Sequence, residues 1–331
     1  MRRLLLPQPA PIESRPLQPG STELPGPGSG QLRVRVLACG VCHTDLHLVE
    51  GEITPPAYPI VPGHQIVGTV DAVGDGAGDW AVGDRVGIAW LHVACGICSF
   101  CRRGEENLCP QARFTGFHVD GGYAETVLAE ASHAFRMPPG IPDEQAAPLL
   151  CAGIIGYRAL RKADVSPGET VGLIGFGASA HLAIQVARAW DCTVFVFSRG
   201  ARHRQLALDL GAAWAGTIEQ PPPSPLDRAV IFAPAGDLVP ATLSLLRPGG
   251  TLAINAIHMT SIPSMPYAVI YGEKTLRSVT NATRRDGREF LALASKLGLR
   301  STVMRYALND ANQALLDLKR GAIEGAAVLV P

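Results

Sequence analysis

The sequence lacks a net charge, because its 29 lysines and arginines are matched by 29 aspartates and glutamates. Nucleic acids and anionic membranes are bound by basic faces, so this balance argues against both kinds of partner. The sequence also lacks a run of about 20 apolar residues, the length that crosses a bilayer. We therefore expect a soluble protein that binds neither nucleic acid nor membrane.

A secretory signal is missing as well. The apolar run Leu4–Leu6 ends at Pro7, far short of the roughly 7 residues that a signal peptide needs. We expect a cytoplasmic protein, in which the eight cysteines are metal ligands or free thiols rather than disulfides. Apolar residues make up 47% of the 331 residues, enough for about two domains with full cores.

Four of the cysteines are close together in the chain. They follow the pattern C-x2-C-x2-C-x7-C, at Cys95, Cys98, Cys101 and Cys109. Four thiolates at this spacing can surround one zinc ion tetrahedrally. A zinc ribbon that binds nucleic acid is the rival interpretation, and the balanced charge disfavours it.

A second polar cluster follows an alternating apolar run. The alternation over Gln31–Ala38 predicts a half-buried strand. It leads into Cys39–His47, which combines cysteines with a hydroxyl, a carboxylate and imidazoles. A redox C-x2-C, a metal site with a proton path, and a polar loop all remain open as interpretations of this segment.

Further along the chain, His64 begins a Val-rich strand. At this position a hydrogen-bonded turn residue and a metal ligand are both possible. Gly/Asp turns between such strands predict a β-rich, partly barrel-like region.

The middle of the chain carries a dinucleotide-binding pattern. A short strand at Val171–Ile174 is followed by G-x-G-x-x-A and the helix His181–Arg188. In this pattern the glycines admit a tight turn and close approach of a pyrophosphate, and the helix N-terminus offers free N–H groups. The predicted cofactor-binding residues of the motif are Gly175, Gly177, Ala178, Ser179 and Ala180.

The next strand, Thr193–Phe197, ends in Ser198-Arg199 instead of the acidic residue typical of NAD sites. Ser198 can donate to a 2′-phosphate, and Arg199, Arg202 or Arg204 can neutralise it. The sequence therefore favours NADP(H) over NAD(H), with a merely solvated Arg199 as the alternative. The strand–helix alternation continues, which predicts a doubly wound parallel sheet. We expect the last strand, Ala326–Val330, to rejoin the N-terminal sheet.

Taken together, these motifs resemble the zinc-containing alcohol dehydrogenases of the medium-chain dehydrogenase/reductase superfamily. The matching stretches are Cys39–Asp45, Gly63–Gln65, the four-cysteine segment, Leu150–Gly153 and Gly175–Ala180. The resemblance implies an α/β fold with two domains. Residues 1–151 and 284–331 would form a GroES-like β-rich catalytic domain with a structural zinc lobe at 91–110, and residues 152–283 a Rossmann dinucleotide-binding domain.

The resemblance also implies two zinc ions per chain. Cys42, His64 and Cys151 would hold a catalytic zinc with one open position, as Cys₂His does in alcohol dehydrogenase, and the four clustered cysteines a structural zinc. The implied reaction is reversible hydride transfer between an alcohol and NADP or NAD through a zinc-bound alkoxide. The implied assembly is a homodimer or homotetramer, with a small alcohol or aldehyde as substrate.

Family roles carry over to several further residues. Thr44 would take the alcohol proton and pass it through the cofactor ribose to His47. Asp45 would orient the zinc ligands, and His43 would meet the pyrophosphate. Trp90 stands where the family has an aromatic wall of the substrate pocket, although an ordinary core tryptophan is the alternative.

Two positions depart from the family. Gln65 replaces a glutamate, which removes a negative charge near the zinc. Gly325-Ala326 lacks the family's arginine, so His43 or Arg284 is expected to serve the pyrophosphate. A nucleotide-binding relative without activity, and a zinc-free quinone or enoyl reductase, remain alternative functions.

Overall fold

The computed structural model describes residues 1–331, which fall into two units. Unit 1 is formed by Met1–Ile154 and Asn281–Pro331, and unit 2 by the continuous segment Ile155–Thr280. None of the helices has both the length and the apolar character required to cross a membrane.

Seventeen strands and nine α-helices alternate along the chain. The strands are β1 (Arg2–Leu5), β2 (Gln18–Ser21), β3 (Gln31–Val41), β4 (Gln65–Val73), β5 (Arg85–Ile88), β6 (Leu91–Val93), β7 (Arg113–Phe114), β8 (Thr126–Glu130), β9 (Phe135–Arg136), β10 (Thr170–Ile174), β11 (Thr193–Phe197), β12 (Trp214–Gly216), β13 (Leu226–Ile231), β14 (Leu246–Ile254), β15 (Thr275–Ser278), β16 (Val303–Ala307) and β17 (Ala326–Val330). The helices are α1 (His43–Glu50), α2 (Ser99–Arg102), α3 (Asp143–Ala146), α4 (Ala152–Lys162), α5 (Ala178–Ala189), α6 (Ala201–Asp209), α7 (Leu238–Leu245), α8 (Arg284–Leu297) and α9 (Ala311–Lys319). Short 3-10 turns lie at Ile12–Ser14, Glu106–Leu108, Ala131–His133, Ala147–Leu150, Tyr267–Val269 and Leu308–Asp310.

Unit 1 is built on a seven-stranded sheet with β3 at its centre. The strand order is β16-β17-β3-β4-β5-β9, and β8 also pairs with β3. Leu32 and Val34 of β3 are fully buried, as the alternation predicts, and the strand continues past the predicted end to Val41. The last strand, β17, pairs antiparallel with β3, so the predicted return of the C-terminus to this sheet is confirmed.

Unit 2 contains a six-stranded sheet in the order β12-β11-β10-β13-β14-β15, and every pair in it is parallel. The chain begins at β10, moves outward to β12, and returns to β13 on the other side of β10. The reversal places a crevice outside the carboxyl ends of β10 and β13, where doubly wound sheets bind ligands. The predicted parallel sheet is therefore confirmed.

Candidate active site

Strand pairing brings two of the predicted zinc ligands together. The antiparallel register aligns Gly40 of β3 with Gln65 of β4, so the residues beyond them lie at the same end of the sheet. Cys42 and His64 are those residues, and Sγ of Cys42 lies 3.3 Å from Nε2 of His64. A tetrahedral zinc with Zn–S and Zn–N bonds of about 2.3 and 2.1 Å would separate these atoms by about 3.6 Å.

The third predicted ligand arrives from a distant turn. Cys151 lies between the 3-10 turn Ala147–Leu150 and helix α4. Its Sγ and the donor atoms of Cys42 and His64 all lie within 4.8 Å of one another. Hydrogen bonding to Cys151 and burial raise the pKa of the Cys42 thiol, so a divalent cation is needed to stabilise two adjacent thiolates here. The donor set thus fits zinc with a fourth position left for another ligand.

Asp45 fixes the positions of both ligand segments. Its carboxylate accepts hydrogen bonds from the backbone N–H groups of Cys42 (3.0 Å) and Gly63 (3.2 Å). It also lies 3.2 Å from Nδ1 of His64, an ion-pair distance without hydrogen-bond alignment. Burial lowers the pKa of His64, but the charges of Asp45 and Cys42 and hydrogen bonds to both together outweigh it and raise that pKa to about 10. With Nδ1 beside Asp45, the other ring nitrogen, Nε2, is the one that lies next to Sγ of Cys42, where a metal would bind.

Helix α1 carries the residues predicted to move the alcohol proton. Thr44 is half-buried, two positions beyond the ligand Cys42, and His47 is buried one turn further along. His43 is exposed, and its ring centroid lies 6.2 Å from that of His47. The side chain of His47 contacts Glu52, a carboxylate that the sequence analysis did not identify. No helical spacing marks this pair, because Glu52 lies five residues after His47 and beyond the Gly51 cap of α1.

Trp90 lies against a predicted zinc ligand rather than in the core. Its ring meets the imidazole of His64 edge-on, with centroids 4.9 Å apart, and stacks on Phe114 at 5.0 Å. Phe117 completes the group at 5.8 Å from Trp90. Sequence reasoning identified Trp90 but missed both phenylalanines, because they are distant in sequence and no local pattern marks them.

Gln65 follows the ligand His64 and is almost fully buried. Its side chain packs on β3 at Gly40, where a β-carbon would lie 2.9 Å from Cδ of Gln65. Gly40 is therefore required for the amide to fit beside the ligand segment.

The four-cysteine segment forms a second donor cluster. All four Sγ atoms lie within 4.8 Å of one another, in the segment that connects the antiparallel strands β6 and β7. Sγ of Cys95 is 3.5 Å from that of Cys109 and 3.9 Å from that of Cys101, close to the roughly 3.8 Å edge of a ZnS₄ tetrahedron. Backbone N–H groups of Ile97 and Cys98 lower the pKa of Cys95 to about 6. The cluster fits a closed structural zinc.

An ion pair between the buried Glu106 and the partly exposed Arg284 attaches this segment to helix α8. Glu106 accepts hydrogen bonds from the backbone N–H (3.0 Å) and from Nε (3.2 Å) of Arg284. Arg284 also donates to the carbonyl of Ser132. The guanidinium of Arg284, which the sequence analysis expected to serve a pyrophosphate, is thus engaged with Glu106 and Ser132 in this structure.

The dinucleotide motif of unit 2 has the backbone that its glycines predict. Gly175 follows β10 with φ at +88°, and a β-carbon there would lie 3.0 Å from the backbone N of Ala233. Gly177 caps α5, which begins at Ala178, and no atom lies within 4 Å of where its β-carbon would be. Ser179 lies in the first turn of α5, and Ala180 is fully buried beneath it.

The residues predicted to face a 2′-phosphate lie together at the carboxyl end of β11. Nη1 of Arg204 donates to the carbonyls of Ser198 (2.8 Å) and Arg199 (2.7 Å). Arg204 therefore shapes the turn, while the Arg199 side chain is exposed to solvent.

Comparison with known families matches both units. The family described as "Alcohol dehydrogenase GroES-like domain" covers residues 28–139, and "Zinc-binding dehydrogenase" covers residues 180–296. A probable alcohol dehydrogenase AdhA of Mycobacterium tuberculosis is 48% identical over 329 residues, which is 98% of this chain and 95% of that protein.

Solved structures of similar proteins share the fold. A cinnamyl alcohol dehydrogenase of Sorghum bicolor superposes with a TM-score of 0.91 at 29% identity, covering 99% of this chain and 97% of that one. An alcohol dehydrogenase of the archaeon Aeropyrum pernix superposes with a TM-score of 0.89 at 29% identity, and the superposition covers 100% of both chains. The chain therefore belongs to the zinc-type medium-chain dehydrogenase/reductase family and is an oxidoreductase of the alcohol dehydrogenase kind.

Proposed function

We propose that this enzyme interconverts a small alcohol and its aldehyde or ketone, with NADP(H) as the preferred cofactor and two zinc ions per chain. The observation that carries the proposal is the convergence of Cys42, His64 and Cys151 within 4.8 Å, with Thr44 two residues after Cys42 on α1. Three protein donors leave a fourth metal position for substrate, which a purely structural site does not.

The two predicted metal sites have different tasks. Cys42, His64 and Cys151 would hold the catalytic zinc, and Cys95, Cys98, Cys101 and Cys109 the structural one. When bound, the catalytic zinc would lower the pKa of the alcohol and the nicotinamide would accept its hydride. The four-sulfur site is closed by protein ligands, so its task is to hold the lobe.

The chain's own side chains would manage the proton and the pocket. Thr44 accepts the hydroxyl proton of the alcohol, and His47 receives it in turn. Asp45 keeps His64 in the correct tautomer. Trp90, with Phe114 and Phe117, forms an apolar wall that orients the carbinol carbon and excludes water.

Unit 2 would bind the dinucleotide. The turn at Gly175 and Gly177 and the N-terminus of α5 suit a pyrophosphate, and His43 of unit 1 is the proposed further contact to it. Ser198 and Arg199 suit a 2′-phosphate, which the acidic residue of NAD-specific sites would repel. On this basis we assign the catalytic role to unit 1 and cofactor binding to unit 2.

We further propose that the enzyme is a homodimer or homotetramer. Light scattering after gel filtration would measure the mass of the assembly and distinguish the two.

The alternative functions lack a supporting observation. A zinc-free quinone or enoyl reductase has no use for the Cys42, His64 and Cys151 donor set. A nucleotide-binding relative without activity has no use for the Thr44 and His47 pair.

The test combines metal analysis with a turnover screen. The enzyme is assayed with ethanol, longer primary alcohols, benzyl alcohol and the matching aldehydes, each with NAD and with NADP. We expect two zinc ions per chain and faster turnover with NADP. Cys42→Ser should retain one zinc and lose turnover with unchanged secondary structure, whereas Cys98→Ser should lose the other zinc and lower the melting temperature. One zinc in the wild type and no activity with any alcohol or aldehyde would overturn the proposal.

A further inference from the structure

The C-terminus of helix α1 turns the chain back onto the proposed proton path. Gly51 ends the helix in the left-handed conformation, with φ at 81°. Glycine adopts this conformation without strain, and it reverses the chain direction. The next residue, Glu52, then donates its backbone N–H to the carbonyl of His47 at 2.9 Å.

The side chains of the same two residues are also in contact. Nδ1 of His47 pairs with Oε2 of Glu52. The side chain of His47 is only 10% exposed, whereas that of Glu52 is 41% exposed. The pair therefore joins a buried imidazole to a carboxylate that reaches bulk water.

A second carboxylate of this helix end is used differently. Glu50 accepts hydrogen bonds from the backbone N–H of Ile12 (3.1 Å) and from the ammonium of Lys319 (2.7 Å). Lys319, on helix α9, also binds Glu13. The charged groups on the elements packed against α1 are thus paired with Glu50 and Glu13, while Glu52 faces His47. His43 is the other ionisable ring near His47.

The pairing decides which nitrogen of His47 can accept a proton. A carboxylate only accepts hydrogen bonds, so Nδ1 carries the hydrogen and Nε2 carries the lone pair. A proton arriving at Nε2 makes an imidazolium, which can release its Nδ1 proton to Oε2 of Glu52. Imidazole is then neutral again, and the protonated carboxyl gives the proton to water.

We propose that Glu52 is the outlet through which the alcohol proton leaves the enzyme, by way of His47. This inference rests on the proposed function, because it extends the path from Thr44 to His47. One proton enters at Nε2 and one leaves from Nδ1, so no other reactant is needed. Because the carboxylate of Glu52 is 41% exposed, its pairing with His47 would contribute little to stability, about 0–1 kcal/mol. The role of Glu52 is therefore tested through the rate of proton release.

The experiment measures proton release in a single turnover. Enzyme saturated with NADP is mixed with benzyl alcohol or ethanol in weakly buffered solution, and a pH-indicator dye and reduced-cofactor absorbance are recorded together. Glu52→Gln should slow proton release by about 10-fold or more. Added imidazole or formate buffer should restore it, because a mobile acceptor replaces the carboxylate. Glu52→Asp should retain part of the rate.

Glu50→Gln is the matched control, since it removes a carboxylate that lies two residues before Glu52 and binds Lys319 instead of His47. It should lower the melting temperature and leave the buffer dependence of proton release unchanged. Wild-type release rates in Glu52→Gln would overturn the inference, as would a slowed rate that buffer does not restore. Absence of alcohol oxidation by the wild type would instead count against the proposed function.

Discussion

The indole N–H of Trp90 donates a 2.9 Å hydrogen bond to Oδ1 of Asn281. The amide of Asn281 in turn donates to the carbonyl of Asn107, at 3.3 Å, in the four-cysteine lobe. Asn281 has φ at 51°, a left-handed conformation that asparagine tolerates better than most residues. The aromatic wall beside His64 is therefore held in place by the four-cysteine lobe.

Removing the Asn281 side chain should loosen that wall. Asn281→Gly fits the backbone and loses the bond, so kcat/KM for aromatic alcohols should fall about 5-fold, the effect of one hydrogen bond. Asn281→Asp keeps the acceptor and should retain most of the activity. In a Trp90→Phe background, Asn281→Gly should have no further effect; an equal loss there would mean that Asn281 acts elsewhere.

Cofactor preference should depend on Ser198. A carboxylate in Ser198→Asp would repel a 2′-phosphate and accept a hydrogen bond from a 2′-hydroxyl. We expect kcat/KM for NADP to fall about 100-fold, roughly 3 kcal/mol of lost binding, with NAD unaffected or improved. Ser224→Asp, on an exposed connector of the same unit, is the control. An equal loss with both cofactors would contradict the assignment.

Glu106→Gln should destabilise the zinc lobe. Burial raises the pKa of Glu106, but hydrogen bonds from backbone N–H groups and Arg284 outweigh it, so its pKa is below the ordinary value. The ion pair therefore stabilises the fold at a pH above the ordinary pKa of glutamate. This stabilisation is lost as the pH falls through the lowered pKa of Glu106. Replacement should cost about 2 kcal/mol in urea unfolding, because the partner arginine loses its buried counter-charge. Glu105→Gln, at an exposed neighbouring pair, should change the free energy of unfolding by less than about 0.5 kcal/mol.

His181 should make unit 2 sensitive to acid. It is fully buried on α5, and burial lowers its pKa to about 4, outweighing the opposing effect of the backbone at Ala178 and Gly177. The unfolded chain takes up a proton below the ordinary value of about 6.5, so stability is lost between pH 6.5 and 4 as pH falls.

Comparing unfolding at about pH 7.5 and 5 should reveal about 2 kcal/mol from this residue. In His181→Leu that part of the pH dependence should disappear. His258→Leu, at an exposed site of the same unit, should leave the pH dependence as in the wild type. If both variants behave alike, His181 does not carry the effect.

Gln65→Glu should restore the family's negative charge beside His64. The side chain is buried against Gly40, so the charge would act at short range on the ligand segment. We expect zinc content to stay the same and kcat to change by about 3-fold or more, through altered exchange of water or product at the metal. Unaltered kinetics together with unaltered zinc content would show that an amide and a carboxylate at position 65 support the same turnover, and would contradict the prediction.

Sequence patterns predicted those parts of the fold that depend on residues close together in the chain. Alternation marked β3, the G-x-G-x-x-A turn marked the junction of β10 and α5, and the cysteine spacing marked the second donor cluster. The trio Cys42, His64 and Cys151 required a family resemblance, because its members meet only through strand pairing and a distant turn.

Other contacts had no signal in the sequence. Phe114 reaches Trp90 through tertiary packing, and Asn281 reaches it from the far end of the chain. The partner of Arg284 was also unforeseeable, since a charged residue near a helix start fits a phosphate as well as it fits Glu106. Such pairings depend on which surfaces the two parts of unit 1 present to each other.

The pairing of β17 with β3 has a consequence for how the enzyme is made. Residues Ala327–Leu329 hold Cys39–Val41, the stretch that delivers Cys42 to its place. During translation unit 2 is complete before this strand leaves the ribosome, because domains fold in order of synthesis. The ligand segment therefore gains its second neighbouring strand only when the nascent chain is nearly finished.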